Sequence, residues 1–145
     1  KVVPTSAQRS AAEAMASALS SLDGVDAEVS ERKSGTSPRN IVSIDCSSES
    51  WRNLAECMRV EHGVDYCSMI TGIHWPEGGA EKNWEVVYHF MRMGISNPPV
   101  EDGMVQPIIT DPTTVEGADV PLEIEVRIAL RPGLNALVAM ALILS

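Results

Sequence analysis

The sequence predicts an α+β fold in which helices pack on one mixed β-sheet to give a two-layer α/β domain. Two observations support this prediction. Two stretches in the first half repeat apolar residues at helical spacing, and later stretches are alternating or continuously apolar, as strands are. With 145 residues, the chain has the length of one domain, residues 1–145, and can bury a substantial core. The predicted order is α-β-β-α-β-β-β followed by a helix.

The amino-terminal third predicts a helix followed by a β-hairpin. Thr5 can cap the helix, and apolar residues then recur at helical spacing until Gly24 ends it. Alternating segments at 25–29 and 42–46 predict two strands. The loop expected between them, 34–40, is rich in Ser, Gly and Pro.

The middle of the chain predicts a second helix and two more strands. Ser47 or Ser48 is expected to cap the helix, whose apolar residues follow the i, i+3, i+4, i+7 template until Gly63. Two apolar segments follow at 64–75 and 84–93, joined by turn residues. Because their alternation is blurred, we expect central strands with both faces partly covered.

The carboxyl-terminal third predicts a loop, a strand and a helix. Residues 96–121 are rich in Pro, Gly, Asp and Thr, which predicts a long acidic surface loop that is either solvated or wrapped on a partner. Residues 122–130 alternate to give one apolar and one largely charged face, and they are the clearest strand. Pro132 is placed to begin a last helix through Leu144, whose apolar surface needs cover from its own sheet or another subunit.

Charge and composition exclude several classes of function. The net charge of -9 and the pI near 4.7 argue against binding to nucleic acid. The longest apolar run is well short of the ~20 residues that span a bilayer, so we expect any membrane association to be indirect. The cysteines number three and show no C-x-x-C pair, which favours free, mostly buried thiols and a reducing compartment.

The sequence does not predict a metal site. The possible ligands are its cysteines and histidines, namely Cys46, Cys57, Cys67, His62, His74 and His89. Sites of this kind usually contain close pairs such as C-x-x-C or H-x-x-x-H, and neither pair occurs here. We therefore expect satisfied thiols and histidines rather than metal ligands.

A catalytic site is also not expected. Glu85 and His89 would lie ~13 Å apart along a strand, beyond hydrogen-bond reach, so pairing between strands is the more natural role of His89. There is no G-x-G-x-x-G, P-loop or G-x-S-x-G motif. One alternative of another class remains, a free-standing small α+β enzyme with a site built from Cys67, Tyr88 and His89.

The tryptophans divide into two groups. Trp51 lies on the apolar stripe of the second helix, which favours a packing role. Trp75 and Trp84 flank the predicted turn, where packing and a role in an interface are equally consistent with the sequence.

Two segments in the middle of the chain carry a resemblance to a known family. Residues 66–76 read YCSMITGIHWP, and residues 84–93 read WEVVYHFMRM. They resemble the L-x-D-I-T-A-V-D-Y-P and F-E-V-V-Y-H-L-L-S-L strands of the 30 kDa subunit of respiratory complex I. The order of the elements agrees as well. The matching positions, which we expect to form an interface, are Tyr66, Thr71, Trp75, Pro76, Trp84, Glu85, Val87, Tyr88 and His89.

The resemblance implies a structural role. Such a subunit has no catalytic residues and binds no cofactor itself, whereas its neighbours carry iron-sulfur clusters and a quinone site. It braces the 49 kDa subunit in the peripheral arm of an NADH:quinone oxidoreductase and so supports assembly and electron transfer. This arm faces the mitochondrial matrix or the bacterial cytoplasm.

Two departures from the family leave alternatives open. Residues 96–121 stand where the family has a short connection, and the family's A-N-W-x-E-R-E-x-x-D-x-F-G segment is absent from this sequence. A separate chain could supply that segment. The short cousin of the family in Ech-like membrane-bound hydrogenases also lacks it, so the small subunit of such a hydrogenase is the alternative within the same family.

Overall fold

A computed structural model describes residues 5–34, 37–77, 84–93 and 120–130 of the chain. In these residues, the predicted order of two helices and five strands is confirmed. The elements are α1 (Ser6–Leu19), β1 (Val25–Ser34), β2 (Ser37–Cys46), α2 (Trp51–Val60), β3 (Tyr66–His74), β4 (Trp84–Arg92) and β5 (Leu122–Leu130). The helix expected at 132–144 and nearly all of the loop expected at 96–121 lie outside the described residues.

The five strands form one mixed sheet in the order β1-β2-β5-β4-β3. Strands β2 and β5 run parallel, and the other neighbouring pairs are antiparallel. The parallel pair arises because α2, β3 and β4 intervene in sequence before the chain returns to the middle of the sheet. The prediction of a two-layer α+β fold with a mixed sheet is therefore confirmed.

Strand β5 is the centre of the core. Its alternating residues Leu122, Ile124, Val126, Ile128 and Leu130 are almost completely buried, as the sequence pattern predicted. Both helices contribute to the same apolar cluster as these residues, so they cover one face of the sheet. The opposite face carries the charged residues of β5.

Helix α1 is fixed at its start by polar contacts. Thr5 caps it as predicted, because its hydroxyl accepts a hydrogen bond from the Gln8 backbone N–H at 3.1 Å. The buried Gln8 side chain then donates to the Asn40 carbonyl and accepts from the Asn40 side chain, at 3.2 and 3.0 Å. This exchange satisfies both amides and ties α1 to β2.

The hairpin strands extend further than the sequence predicted. The expected loop at 34–40 was wrong in its length, because β1 continues to Ser34 and β2 begins at Ser37. Arg32 and Arg39 lie in these extensions and form ion pairs with Glu125 and Glu123 of β5. Contacts to a distant strand therefore hold the extended ribbon, which local composition could not reveal.

Helix α2 begins later than predicted. Its N-cap residue is Ser50, and the expected cap at Ser47 or Ser48 was wrong. The Ser47 hydroxyl instead accepts a hydrogen bond from the Ser50 backbone N–H at 3.3 Å and shapes the preceding turn. Trp51 follows and is buried, which confirms its predicted packing role.

The two central segments differ in burial. Strand β4 is largely buried between β3 and β5, as expected for a central strand. Strand β3 is an exposed edge of the sheet, so the prediction of a central strand with both faces partly covered was wrong for this segment. A bulge between Cys67 and Met69 shifts its register and explains part of the blurred alternation.

Gly24 joins α1 to β1 in a conformation that other residues rarely adopt. Its φ is +72°, and an added Cβ would lie 2.3 Å from Ser50 Oγ and 2.7 Å from Ser47 Oγ. Gly24→Ala is therefore expected to lower the free energy of unfolding by about 1–2 kcal/mol, measured by urea denaturation. Gly72→Ala is the control, because a Cβ at Gly72 meets no atom within 4 Å. Equal losses for the two variants would contradict this assignment.

Candidate functional site

The exposed apolar residues concentrate at one edge of the sheet. We call the surface formed by β3, Trp75 and Trp84 the β3 edge. Met69 and Tyr66 are 54% and 52% exposed, and Ile70, Trp75 and Trp84 are also exposed. The Trp84 ring stacks on His74, with centroids 4.2 Å apart, which holds it at the surface of the sheet. An apolar edge strand of this kind offers both backbone hydrogen-bonding groups and side chains to a partner.

The opposite edge of the sheet differs in chemistry. Strand β1 carries Asp26, Glu28, Glu31, Arg32 and Lys33, whereas β3 has no Asp, Glu, Lys or Arg. Charged side chains are a common protection against pairing between sheet edges. Among the described residues, β1 therefore has charged side chains that oppose pairing with another strand, whereas β3 has none.

An apolar cavity of 330 Å³ lies beside the β3 edge. Helix α2 contributes Trp51 and Met58 to its wall, and the sheet contributes Ile70, Tyr88 and Phe90. The Trp51 and Tyr88 rings stack at a centroid distance of 4.3 Å, so the wall is rigid. This cavity could accept an apolar side chain of a segment bound along β3.

The groups in the cavity are not set up for nucleophilic chemistry. Burial raises the pKa of the Tyr88 hydroxyl to about 12, and Cys67 acts on that pKa in the same direction. Partial desolvation also raises the pKa of the Cys67 thiol, although its hydrogen bond to the Met69 backbone acts to lower it. Both groups are therefore protonated at neutral pH and neither is an activated nucleophile.

The alternative enzymatic site does not assemble. Cys67 and Tyr88 line the cavity under α2. His89 is the next residue along β4 and lines a second cavity, of 180 Å³, with Glu125. Because successive residues of a strand point to opposite faces, His89 cannot act together with the other two.

Two arginines and two glutamates line the second cavity, namely Arg32, Arg39, Glu123 and Glu125. Glu125 is 3% exposed and accepts hydrogen bonds from Arg32 at 2.5 and 3.0 Å and from Arg127 at 2.8 and 2.5 Å. His89 Nδ1 lies 3.9 Å from the same carboxylate, which confirms the predicted pairing between strands. Arg39 pairs with Glu123 at 2.8 Å.

The two neighbouring arginines lower the pKa of the Glu125 carboxyl group. Burial acts to raise it, but the hydrogen bonds and charges of Arg32 and Arg127 outweigh burial and hold the pKa at about 2. The carboxylates neutralise the arginines that line this cavity. The arrangement therefore serves the structure of the sheet rather than anion binding.

The residues that match the family motif divide by burial. Tyr66, Trp75 and Trp84 are exposed at the β3 edge, and Pro76, which follows Trp75, is also exposed. Thr71 and His89 are half-buried, and Glu85, Val87 and Tyr88 are buried. The structure thus brings the first group to one accessible surface, while the last group lies inside the domain.

Three features of the structure were not predicted from the sequence. Met69 and Ile70 lie in a segment expected to be central, and the Glu125 network depends on strand order. The third feature is a cluster of Cys57, Glu61 and His62 at the end of α2, whose donor atoms lie within 4.8 Å of one another. Its signal was the C-x-x-x-E-H spacing, which a search for pairs of like ligands overlooks.

The cysteines also differ from expectation, since Cys46 is buried but Cys67 is exposed, although all three thiols are free.

Comparison with known protein families shows to which family the chain is related. The family described as "Respiratory-chain NADH dehydrogenase, 30 Kd subunit" matches residues 44–127, more than half of the chain and from within β2 to within β5. The chain belongs to this family. Searches of curated proteins and of solved structures found no match.

Membership of the 30 kDa subunit family indicates that the chain is part of a multisubunit assembly. It makes the chain a complex I-like subunit, a partner of other complex I subunits in the peripheral arm of a membrane complex. Neither α1 nor α2, the helices in the described part of the chain, has the length and hydrophobicity needed to span a membrane.

Proposed function

We propose that this domain is a non-catalytic structural subunit of the peripheral arm of a complex I-like NADH:quinone oxidoreductase. Its role is positional, since it braces the 49 kDa subunit and so supports assembly and electron transfer. The observation that carries the proposal is the β3 edge, an uncharged edge strand flanked by two exposed tryptophans. Family membership supplies the context.

The docking energy in this proposal comes from apolar burial. Removing apolar surface from water stabilises a contact by roughly 25 cal/mol per Å² before ordering costs are subtracted. Tyr66, Met69 and Trp75 offer large side chains for this purpose. The stacked rings of Trp51 and Tyr88 support the strand from behind, which lowers the ordering cost on this side of the contact.

The chemistry of the domain is consistent with a scaffold. We propose that the chain contributes no redox centre and that neighbouring subunits hold the iron-sulfur clusters and the quinone site. The raised pKa values of Tyr88 and Cys67 support this division of labour, because neither group is activated. We place the subunit on the matrix or bacterial cytoplasmic side, where free thiols such as those of Cys46, Cys57 and Cys67 persist.

The experiment is identification of the complex in which the chain resides. Membranes of the source cells are extracted with mild detergent, separated on a native gel and analysed by mass spectrometry. We expect the chain to migrate with a 49 kDa-type quinone-site subunit. Migration with hydrogenase subunits instead would reassign it to the Ech-like branch, and migration as a free small protein would overturn the scaffold role.

A further inference from the structure

We propose that Cys57, Glu61 and His62 bind one Zn²⁺ ion at the carboxyl-terminal end of α2. The cluster combines a thiol, a carboxylate and an imidazole, whose donor atoms all lie within 4.8 Å of one another. This inference is independent of the docking role proposed above. It also revises the expectation of no metal site, which rested on the lack of paired cysteines or paired histidines.

The backbone explains why the three side chains meet. Helix α2 ends at Val60, but the Glu61 N–H still donates to the Cys57 carbonyl at 2.9 Å, so the chain continues to turn. Positions four residues apart lie on the same side of a helical turn. The His62 carbonyl is held by Arg92 at 3.1 Å, which fixes the backbone from which the imidazole projects.

The distances suit a tetrahedral ion after a small rearrangement. Zinc bonds of ~2.0 Å to nitrogen or oxygen and ~2.3 Å to sulfur place one sulfur, one nitrogen and one oxygen donor ~3.3–3.5 Å apart. Cys57 Sγ and Glu61 Oε2 are already 3.4 Å apart. The remaining contraction, about 1.5 Å or less, is within reach of side-chain rotation because Glu61 is exposed and His62 is only half-buried.

The chemical types of the three donor atoms indicate which metal ion the cluster would bind. Zn²⁺ accepts sulfur, nitrogen and oxygen ligands, whereas Mg²⁺ and Ca²⁺ require oxygen and do not favour a thiolate. The thiolate and the carboxylate together offset the charge of the ion. The negative end of the α2 dipole adds to this attraction, and the positive charge of Arg92 opposes it. The fourth position is open to water.

Binding would stiffen the junction between α2 and β3. The cluster lies where α2 leads into β3, and Met58 and Val64 on either side of it line the apolar cavity. An ion at this point ties the last turn of the helix to the segment that enters the β3 edge. We therefore expect Zn²⁺ to raise the melting temperature of the purified protein.

The test uses Co²⁺ as a spectroscopic probe for the zinc site. We expect one Co²⁺ per chain, with a sulfur-to-cobalt charge-transfer band and visible bands typical of tetrahedral coordination, all lost on addition of Zn²⁺. Cys57→Ser should remove the charge-transfer band and weaken binding at least ~10-fold, since even changes to groups behind the ligands weaken sites by about 10–100-fold. Glu61→Gln, at an exposed position, should weaken binding without affecting the fold.

Cys67→Ser is the matched control, because Cys67 is exposed and lies outside the cluster. It should leave the spectrum and the affinity unchanged, and circular dichroism verifies that every variant is folded. No stoichiometric binding of Co²⁺ or Zn²⁺ would overturn the proposal. So would binding that survives Cys57→Ser and Glu61→Gln, which would indicate adventitious surface binding only.

Discussion

Replacing Glu125 by glutamine is expected to lower the free energy of unfolding by about 3 kcal/mol. The carboxylate is buried and accepts hydrogen bonds from two guanidinium groups, so its loss removes the anion that Arg32 and Arg127 share. Breaking a buried ion pair costs about 3–5 kcal/mol. The lower end applies because these arginines are 39% and 42% exposed and can regain water. Urea denaturation followed by tryptophan fluorescence measures the change.

Glu123→Gln provides the control for this experiment. Glu123 pairs with Arg39 at 2.8 Å, and both side chains are more exposed to water than Glu125. A pair of this kind contributes about 1 kcal/mol or less. If the two substitutions cost the same small amount, the Glu125 network does not have the stabilising role assigned to it.

The same carboxylate predicts how stability depends on pH. Its pKa is about 2 in the folded protein and near 4.5 without these partners, so folding favours the charged form. The stabilisation is therefore complete above about pH 4.5 and is lost as the pH falls from there towards 2. Between these values, the wild-type protein should lose stability more steeply than Glu125→Gln. Parallel curves would contradict this assignment.

The sequence predicted where each helix and strand lies along the chain better than it predicted which strands lie next to each other. Strand β5 was placed correctly because the alternation of apolar with mostly charged residues is a local property of its nine residues. The length of the hairpin was not predicted correctly, because its extended part is held by Arg32 and Arg39, which pair with residues far along the chain. A local pattern cannot report which strand a side chain will face.

The same limit explains what was missed in the candidate surfaces. Residues 66–74 and 84–92 are both apolar, yet one strand is an edge and the other is central. Only the order of the strands distinguishes them, and that order depends on contacts between distant residues. Val87 illustrates the consequence, because it matches the family motif but is buried. Val87→Asp would bury an unpaired charge and report on folding rather than on docking.

The largest functional effect is expected from charging the β3 edge. The double variant Tyr66→Lys with Met69→Lys places two charges on side chains that are more than half exposed. In the free protein these lysines remain in water, so the free energy of unfolding should change by no more than about 0.5 kcal/mol. In a docked complex they would lose water without a partner, at a cost of several kcal/mol.

Incorporation into the complex should therefore fall at least ~10-fold, since each 1.4 kcal/mol changes an equilibrium about tenfold. Quantitative mass spectrometry of the native complex, normalised to the total amount of the chain, measures this. The control is Ala7→Lys with Ala14→Lys, which adds the same charge at exposed positions of α1. Because only an occluded β3 edge distinguishes the two pairs, equal incorporation of both variants would move the docking surface elsewhere on the domain.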